Sequence, residues 1–157
     1  MKWKLLDIER CIGCETCEHV CEFIHGVPYS MTVYTDELFA LRIACFHCKN
    51  APCVNVCPTK ALKIDKEGFV VLRYFKCVAC GLCATACPFG IPRLSPVTRT
   101  MGKCHACVER RAEGLNPACW EMCPSGAIMY GDMGEILLKI LLKEKNAVTQ
   151  RIIEKVT

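Results

Sequence analysis

Apolar and polar positions alternate most legibly in two stretches of the chain. Leu62-Lys63-Ile64 and Phe69-Val70-Val71-Leu72 are β-prone runs on either side of Lys66-Glu67-Gly68, and a Gly-containing turn between such runs predicts a β-hairpin. From Glu135 the sequence continues Ile136-Leu137-Leu138-Lys139-Ile140-Leu141-Leu142-Lys143, with Leu137, Leu138, Leu141 and Leu142 at helical spacing. This predicts an amphipathic helix running toward Val156, over a tail of residues 132–157, its leucine stripe resting on the chain's own body or on a partner subunit. No uncharged apolar run reaches the roughly eighteen residues of a membrane span. Lys139, Lys143, Glu144 and Lys145 break up the tail in the same sense. Elsewhere periodicity gives way to short segments punctuated by cysteine. One motif recurs: Cys57-Pro58-Thr59-Lys60-Ala61-Leu62 matches Cys123-Pro124-Ser125-Gly126-Ala127-Ile128, and each leads into a strand-like run. Such a repeat points to fused copies of one small unit.

Composition sharpens this picture. Sixteen of the 157 residues are Cys, far above ordinary usage. A chain of this length builds one compact domain or two small fused modules. A disulfide framework would require an oxidising compartment, but the sequence opens Met1-Lys2-Trp3-Lys4-Leu5-Leu6-Asp7 without the apolar run of a signal peptide or a twin-Arg signal. The expected location is therefore the cytoplasm, where so many reduced thiols point to metal.

The cysteines fall into four quartets. Cys11, Cys14, Cys17 and Cys21 are spaced C-x2-C-x2-C-x3-C, and Cys77, Cys80, Cys83 and Cys87 repeat that spacing. Cys45, Cys48, Cys53 and Cys57 have four residues between their middle pair, and Cys104, Cys107, Cys119 and Cys123 have eleven. Three quartets end in Cys-Pro: Cys57-Pro58, Cys87-Pro88 and Cys123-Pro124. Three cysteines at i, i+3 and i+6 on a loop can reach three irons of one cubane cluster, while the fourth leaves into a helix and ligates the other cluster of a pair. The Pro, with no N–H and a fixed φ, shapes the chain as it turns away. Two CxxC pairs can also hold zinc, so Cys45/Cys48 or Cys104/Cys107 alone would be ambiguous; zinc has no use for C-x2-C-x2-C-x3-C-P. The expected cofactors are four [4Fe–4S] clusters on all sixteen cysteines. The formal charge of +4 and sequence pI of 8.3 then say nothing of nucleic acid, because thiolates and cluster cores together move the charge by about −8.

These motifs resemble the iron–sulfur subunit family of molybdenum and tungsten oxidoreductases, which includes the electron-transfer subunits of formate dehydrogenase and dimethyl sulfoxide reductase. The resemblance rests on Cys11-Ile12-Gly13-Cys14-Glu15-Thr16-Cys17, the segment Cys45-Phe46-His47-Cys48 through Cys57-Pro58, Cys77 to Pro88, and Lys103-Cys104-His105-Ala106-Cys107, and it spans roughly residues 4–131. It implies an α+β, loop-rich fold of two fused bacterial-type dicluster ferredoxin-like modules with short β-hairpins. The inner module would cover about residues 40–95 and the outer about 1–39 with 96–131, followed by the C-terminal helix. It also implies nested ligation: Cys11, Cys14, Cys17 and Cys123 on one cluster; Cys21, Cys104, Cys107 and Cys119 on a second; Cys45, Cys48, Cys53 and Cys87 on a third; Cys57, Cys77, Cys80 and Cys83 on a fourth. Pairing the quartets sequentially satisfies the same ligand count. The implied partners are a large catalytic subunit, such as an aldehyde-oxidising tungsten enzyme or a formate dehydrogenase, and ferredoxin or a similar acceptor. The chain is shorter than many of these relatives and shows no evident anchor tail, which favours a soluble complex. A free polyferredoxin carrier, or a subunit of a hydrogenase or carbon monoxide dehydrogenase, remains an alternative.

His19, His25, His47 and His105 lie near or between the ligands. With the cysteine set complete they are expected as hydrogen-bond partners or in exposed loops. Trp120 is expected to pack over and shield a cluster. Lys103, Arg110 and Arg111 are expected as solvated charge offsetting the clusters, or as a docking face for an acidic redox partner. No nucleotide loop, flavin fingerprint, serine nucleophile or carboxylate pair stands out, so the chain is expected to conduct and not to catalyse.

Overall fold

The computed structural model describes residues 1–35 and 40–142. The chain runs β1 (Lys2–Leu6), α1 (Thr16–His25), β2 (Ser30–Tyr34), β3 (Ala40–Ala44), α2 (Pro52–Asn55), β4 (Leu62–Ile64), β5 (Val70–Leu72), α3 (Leu82–Thr85), β6 (Arg93–Leu94), β7 (Met101–Gly102), α4 (Val108–Ala112), α5 (Ala118–Glu121) and β8 (Ile128–Asp132). A further helix, α6, occupies 133–142. The strands form four separate antiparallel ribbons, β1–β8, β2–β3, β4–β5 and β6–β7. This is an α+β fold dominated by loops, and the loops are where the cysteines sit.

The expected hairpin is present as β4–β5, with Leu62 opposite Leu72 and Ile64 opposite Val70. Its turn is held by Asp65, whose carboxylate accepts the N–H groups of Glu67 and Phe69 at 3.0 and 2.9 Å. Phe69 and Val70 are each 1% exposed and seed two small core clusters. Of the two five-residue ribbons, β2–β3 joins neighbouring segments and β1–β8 joins segments remote in sequence. In β1–β8, Lys4 faces Tyr130 and Leu6 faces Ile128.

A clasp ties the β4–β5 turn to α4. The Arg111 guanidinium donates to Asp65 at 2.6 Å, to Glu67 at 2.8 Å and to the Ala106 carbonyl at 2.8 Å, and lies 4.5 Å from the centre of the Phe69 ring. Burial would raise the Asp65 carboxyl, but the Arg111 hydrogen bond and the turn N–H groups outweigh it and hold the pKa below its ordinary value. Arg111 therefore corrects the expectation of a solvated cation: it is buried because two carboxylates pair with it.

Helix α6 also departs from expectation. Its inward residue is Ile136, 1% exposed, whereas Leu137, Leu138, Leu141 and Leu142 are all exposed. The leucines form the periodic stripe, yet Ile136 is the residue that meets the body, with half-buried Ile140 one turn on. The remainder of the expected helix, through Val156, lies outside the described residues. Among those described, no helix is long and apolar enough to cross a membrane.

Candidate iron–sulfur centres

Each quartet is built on one repeated backbone device. The residue just before the second cysteine has a left-handed backbone in all four: Gly13 (φ 67°), His47 (φ 50°), Ala79 (φ 55°) and Ala106 (φ 52°). Left-handed φ costs a non-Gly residue about 1 kcal/mol or more, and such strain gathers at functional loops. It curls the loop so that successive cysteines face inward. The third cysteine is in every case the second residue of a helix: Cys17 in α1, Cys53 in α2, Cys83 in α3 and Cys119 in α5. There it sits among first-turn N–H groups that lack helical partners.

The Cys-Pro segments share a second device. Lys60, Gly90 and Gly126, three residues after Cys57, Cys87 and Cys123, have φ of 52°, 60° and 63°. Each returns its N–H to the cysteine carbonyl, at 3.1, 3.1 and 3.2 Å. The turn aims backbone N–H groups at the sulfur; Ala61 N–H lies 3.2 Å from Cys57 Sγ. Burial would raise the Cys57 and Cys123 thiols, but these N–H groups, with Thr59 and Ser125, bring both below the ordinary thiol value. The sequence repeat thus marks two copies of one thiolate-stabilising turn.

The thiols gather in four sets. Cys11, Cys14, Cys17 and Cys123 line one cavity. Cys21, Cys104, Cys107 and Cys119 line a second. Cys45, Cys48, Cys53 and Cys87 line a third. Around Cys83, burial and the charges of Cys77, Cys80 and Cys57 push the thiol up. Three members of each set come from one stretch of chain, and the outlier is the last cysteine of a different quartet. Crowding is severe: burial, with Cys104, Cys119 and Cys107 close by, pushes Cys21 up to about 12. Four thiolates so placed need a shared cationic centre, and an all-thiolate set is the donor chemistry of iron–sulfur clusters.

Buried donors around the cavities fit such a group. Ser30 Oγ, Arg42 Nε and His47 Nε2 are buried without a hydrogen-bond partner. Ser30 and Arg42 line the Cys21/Cys104/Cys107/Cys119 cavity, and Arg42 also lines that of Cys11/Cys14/Cys17/Cys123. The Val70 N–H donates to His47 Nδ1 at 3.1 Å, which leaves Nε2 to carry the ring hydrogen. Burial would raise Cys45, yet the His47 imidazole and Lys103 bring it down to about 7. Lys4 Nζ lies 3.0 Å from Cys104 Sγ. Against burial, Lys4 and then His47 hold the Cys104 thiol well below its ordinary range. Donors with no protein acceptor, aimed at cavities walled by sulfur, suit an anionic cluster bearing sulfide acceptors.

The remaining histidines and cations divide. His25 Nε2 lies 3.4 Å from Cys107 Sγ, and buried His105 is driven down to about 4, so it is neutral at physiological pH. His19 is exposed and faces Glu15. Lys103 corrects the expectation of solvated charge: it is 3% exposed, and its ammonium donates to the carbonyls of Val70 and Cys104. Arg110 pairs with Glu121 at 2.6 Å. Trp120 packs against Tyr130, 6.3 Å between ring centres, and beneath Lys139 of α6. Lys4, Ser30 and Arg42 are not legible in the sequence because strands remote from most of their cysteines deliver them, and a lone cation in a strand leaves no local pattern.

The family model for the 4Fe-4S dicluster domain matches residues 37–133. The thiosulfate reductase electron transfer subunit of Salmonella typhi is 34% identical, over 94% of this chain and 84% of its own length. The B subunit of polysulfide reductase from Wolinella succinogenes is 36% identical, over 85% and 78%. The B subunit of anaerobic dimethyl sulfoxide reductase from Escherichia coli is 33% identical, over 85% and 75%. Three cavities walled by cysteine, a fourth group of thiols around Cys83, donors turned toward the cavities and this likeness along nearly the whole chain agree: the protein belongs to the 4Fe-4S dicluster family, as a non-catalytic electron-transfer subunit carrying four [4Fe–4S] clusters.

Proposed function

We propose that the chain is a four-step wire in which each thiol set holds one cluster. The ligands would be Cys11/Cys14/Cys17/Cys123, Cys21/Cys104/Cys107/Cys119, Cys45/Cys48/Cys53/Cys87 and Cys57/Cys77/Cys80/Cys83. The first two form an outer module and the last two an inner one. A bound [4Fe–4S] cluster supplies a one-electron couple tuned by charge, hydrogen bonds and exposure. The observation that carries the reading is that the exposed ligands lie at the two ends of the series. Cys14 and Cys80, one in each terminal set, are exposed and no cysteine of the middle sets is, while the buried ones are Cys104, Cys107, Cys119 and Cys53 in the middle sets and Cys83 in a terminal one. Cys14 and Cys80 thus open the terminal sets to redox partners, while Lys4, His47 and Lys103 exclude water from the middle sets and hold their thiolates.

The partner we propose is a large catalytic subunit with a molybdenum- or tungsten-pterin centre. The relatives are named for reductases of thiosulfate, polysulfide and dimethyl sulfoxide, which favours a partner that reduces a sulfur compound or sulfoxide. A tungsten partner that oxidises an aldehyde or formate and passes electrons to ferredoxin would use the same wire in the opposite direction. Sixteen cysteines with no disulfide between any of them fit a reducing compartment, and we assign the complex to the cytoplasm. Anaerobic native purification tests the reading: the chain is expected to elute with a larger subunit containing Mo or W, and with about sixteen iron and sixteen sulfide per chain. Reduction of that complex by aldehyde, formate or ferredoxin, set against its oxidation by polysulfide or a sulfoxide, decides the direction. A chain that elutes alone with zinc and no sulfide sinks the proposal.

A further inference from the structure

We propose that Arg42 is a shared cation for the two outer clusters, raising both of their reduction potentials and damping the repulsion between them. The inference rests on the assignment of Cys11/Cys14/Cys17/Cys123 and Cys21/Cys104/Cys107/Cys119 as separate ligand sets.

Arg42 sits on β3 opposite Thr32, at 9% exposure, and lines both of those cavities. A guanidinium this buried must be paired or it costs several kcal/mol, on the order of the desolvation of an ion. The groups around it are the sulfurs of both sets: Cys17 shares one cavity with it, and Cys104 and Cys119 share the other. Its Nε has no hydrogen-bond partner, so the fork retains a donor for sulfide.

The planar guanidinium has five N–H donors in a fixed fan and can serve acceptors on two edges at once; a lysine ammonium is a point charge on a flexible stem. An added electron makes either cluster more negative. A cation between two such sites stabilises the reduced form of each, and it screens the charge that reduction of one presents to the other. Arg42 is thus a positioning residue that makes uptake of an electron more favourable at both outer sets and keeps the two steps level.

The test is an EPR-monitored redox titration of the purified holoprotein, preceded by iron and sulfide analysis. Wild-type protein without four reducible centres would overturn the ligand assignment itself, whatever Arg42 does. Given four, Arg42→Gln is expected to lower two midpoints by about a tenfold change in the reduction equilibrium, about 59 mV for a one-electron couple, and to leave the other two in place. Arg42→Lys keeps the charge but reaches one set, so one outer midpoint returns to the wild-type value and the other stays low. A common shift of all four centres, no shift, or an Arg42→Lys protein as displaced as Arg42→Gln would overturn the proposal. If Arg42→Gln loses iron, Arg42→Lys decides alone: unequal outer midpoints support sharing, and equal ones refute it.

Discussion

Ala79 and Ala106 hold left-handed backbone where glycine is easier, whereas Gly13 does so at the matching place in the first quartet. A β-branched residue there meets a much steeper penalty than alanine. Ala79→Val is therefore expected to cost about 2 kcal/mol and to speed iron loss from the Cys57/Cys77/Cys80/Cys83 set. Ala79→Gly should leave it unchanged or slower; a timed chelation assay reads both. The thiol sets make a second residue-scale prediction. Cys17→Ala and Cys123→Ala should each remove the same centre, so the double variant loses no more iron than either single one, a non-additivity expected of groups acting as a unit. Sequential pairing of quartets predicts additive loss, and iron counting distinguishes the two. The cysteines themselves were fully legible in the sequence because their spacing is local. Of the αL positions, Gly13, Gly90 and Gly126 are signalled by residue type, whereas His47, Lys60, Ala79 and Ala106 are not. Buried Lys4, Arg42 and Lys103 were not, because groups contributed from distant parts of the chain bury them: sulfur for Lys4 and Arg42, the Val70 carbonyl for Lys103.

Among the elements, the β4–β5 hairpin could be read because both strands and their turn lie within eleven residues, Leu62–Leu72. The β1–β8 ribbon could not, since nothing in Lys2–Leu6 names Ile128–Asp132 as its partner. Helix α6 shows a different limit: periodicity finds a helix but not which face its body covers, and Ile136 outranks four leucines in burial. The Arg111 clasp is the element-level joint open to experiment. Arg111→Met leaves Asp65 without its cation and Glu67 with only Lys2 at 3.8 Å, and is expected to cost about 3 kcal/mol, read as a midpoint of thermal cluster bleaching lower by roughly 6–12 °C. Adding Asp65→Asn to Arg111→Met should recover part of that loss, because the uncompensated carboxylate is then gone. A double variant worse than the sum of the singles would show that the clasp is not what joins the turn to α4.

Over the whole molecule, protein atoms alone build little core. The buried clusters are small and include Cys53 and Cys83, so the four inorganic centres act as the interior around which short helices and ribbons are arranged. The exposed ends then govern the order in which the molecule comes apart. A ferrous chelator added to the reduced holoprotein is expected to remove iron in two phases. Roughly half would leave quickly from the sets containing Cys14 and Cys80, and the rest slowly from the sets walled by Cys104, Cys107, Cys119 and Cys53. Single-phase loss would contradict the exposed ends on which the wire rests. The β1–β8 ribbon carries a consequence for biosynthesis. Lys2–Leu6 has no mate until Ile128–Asp132 has been made, and on the proposed ligand sets Cys11, Cys14 and Cys17 wait as long for Cys123. On that assignment the ligands of the inner sets are all in place by Cys87, and the outer cubanes would be fitted only when the two distant strands zip together.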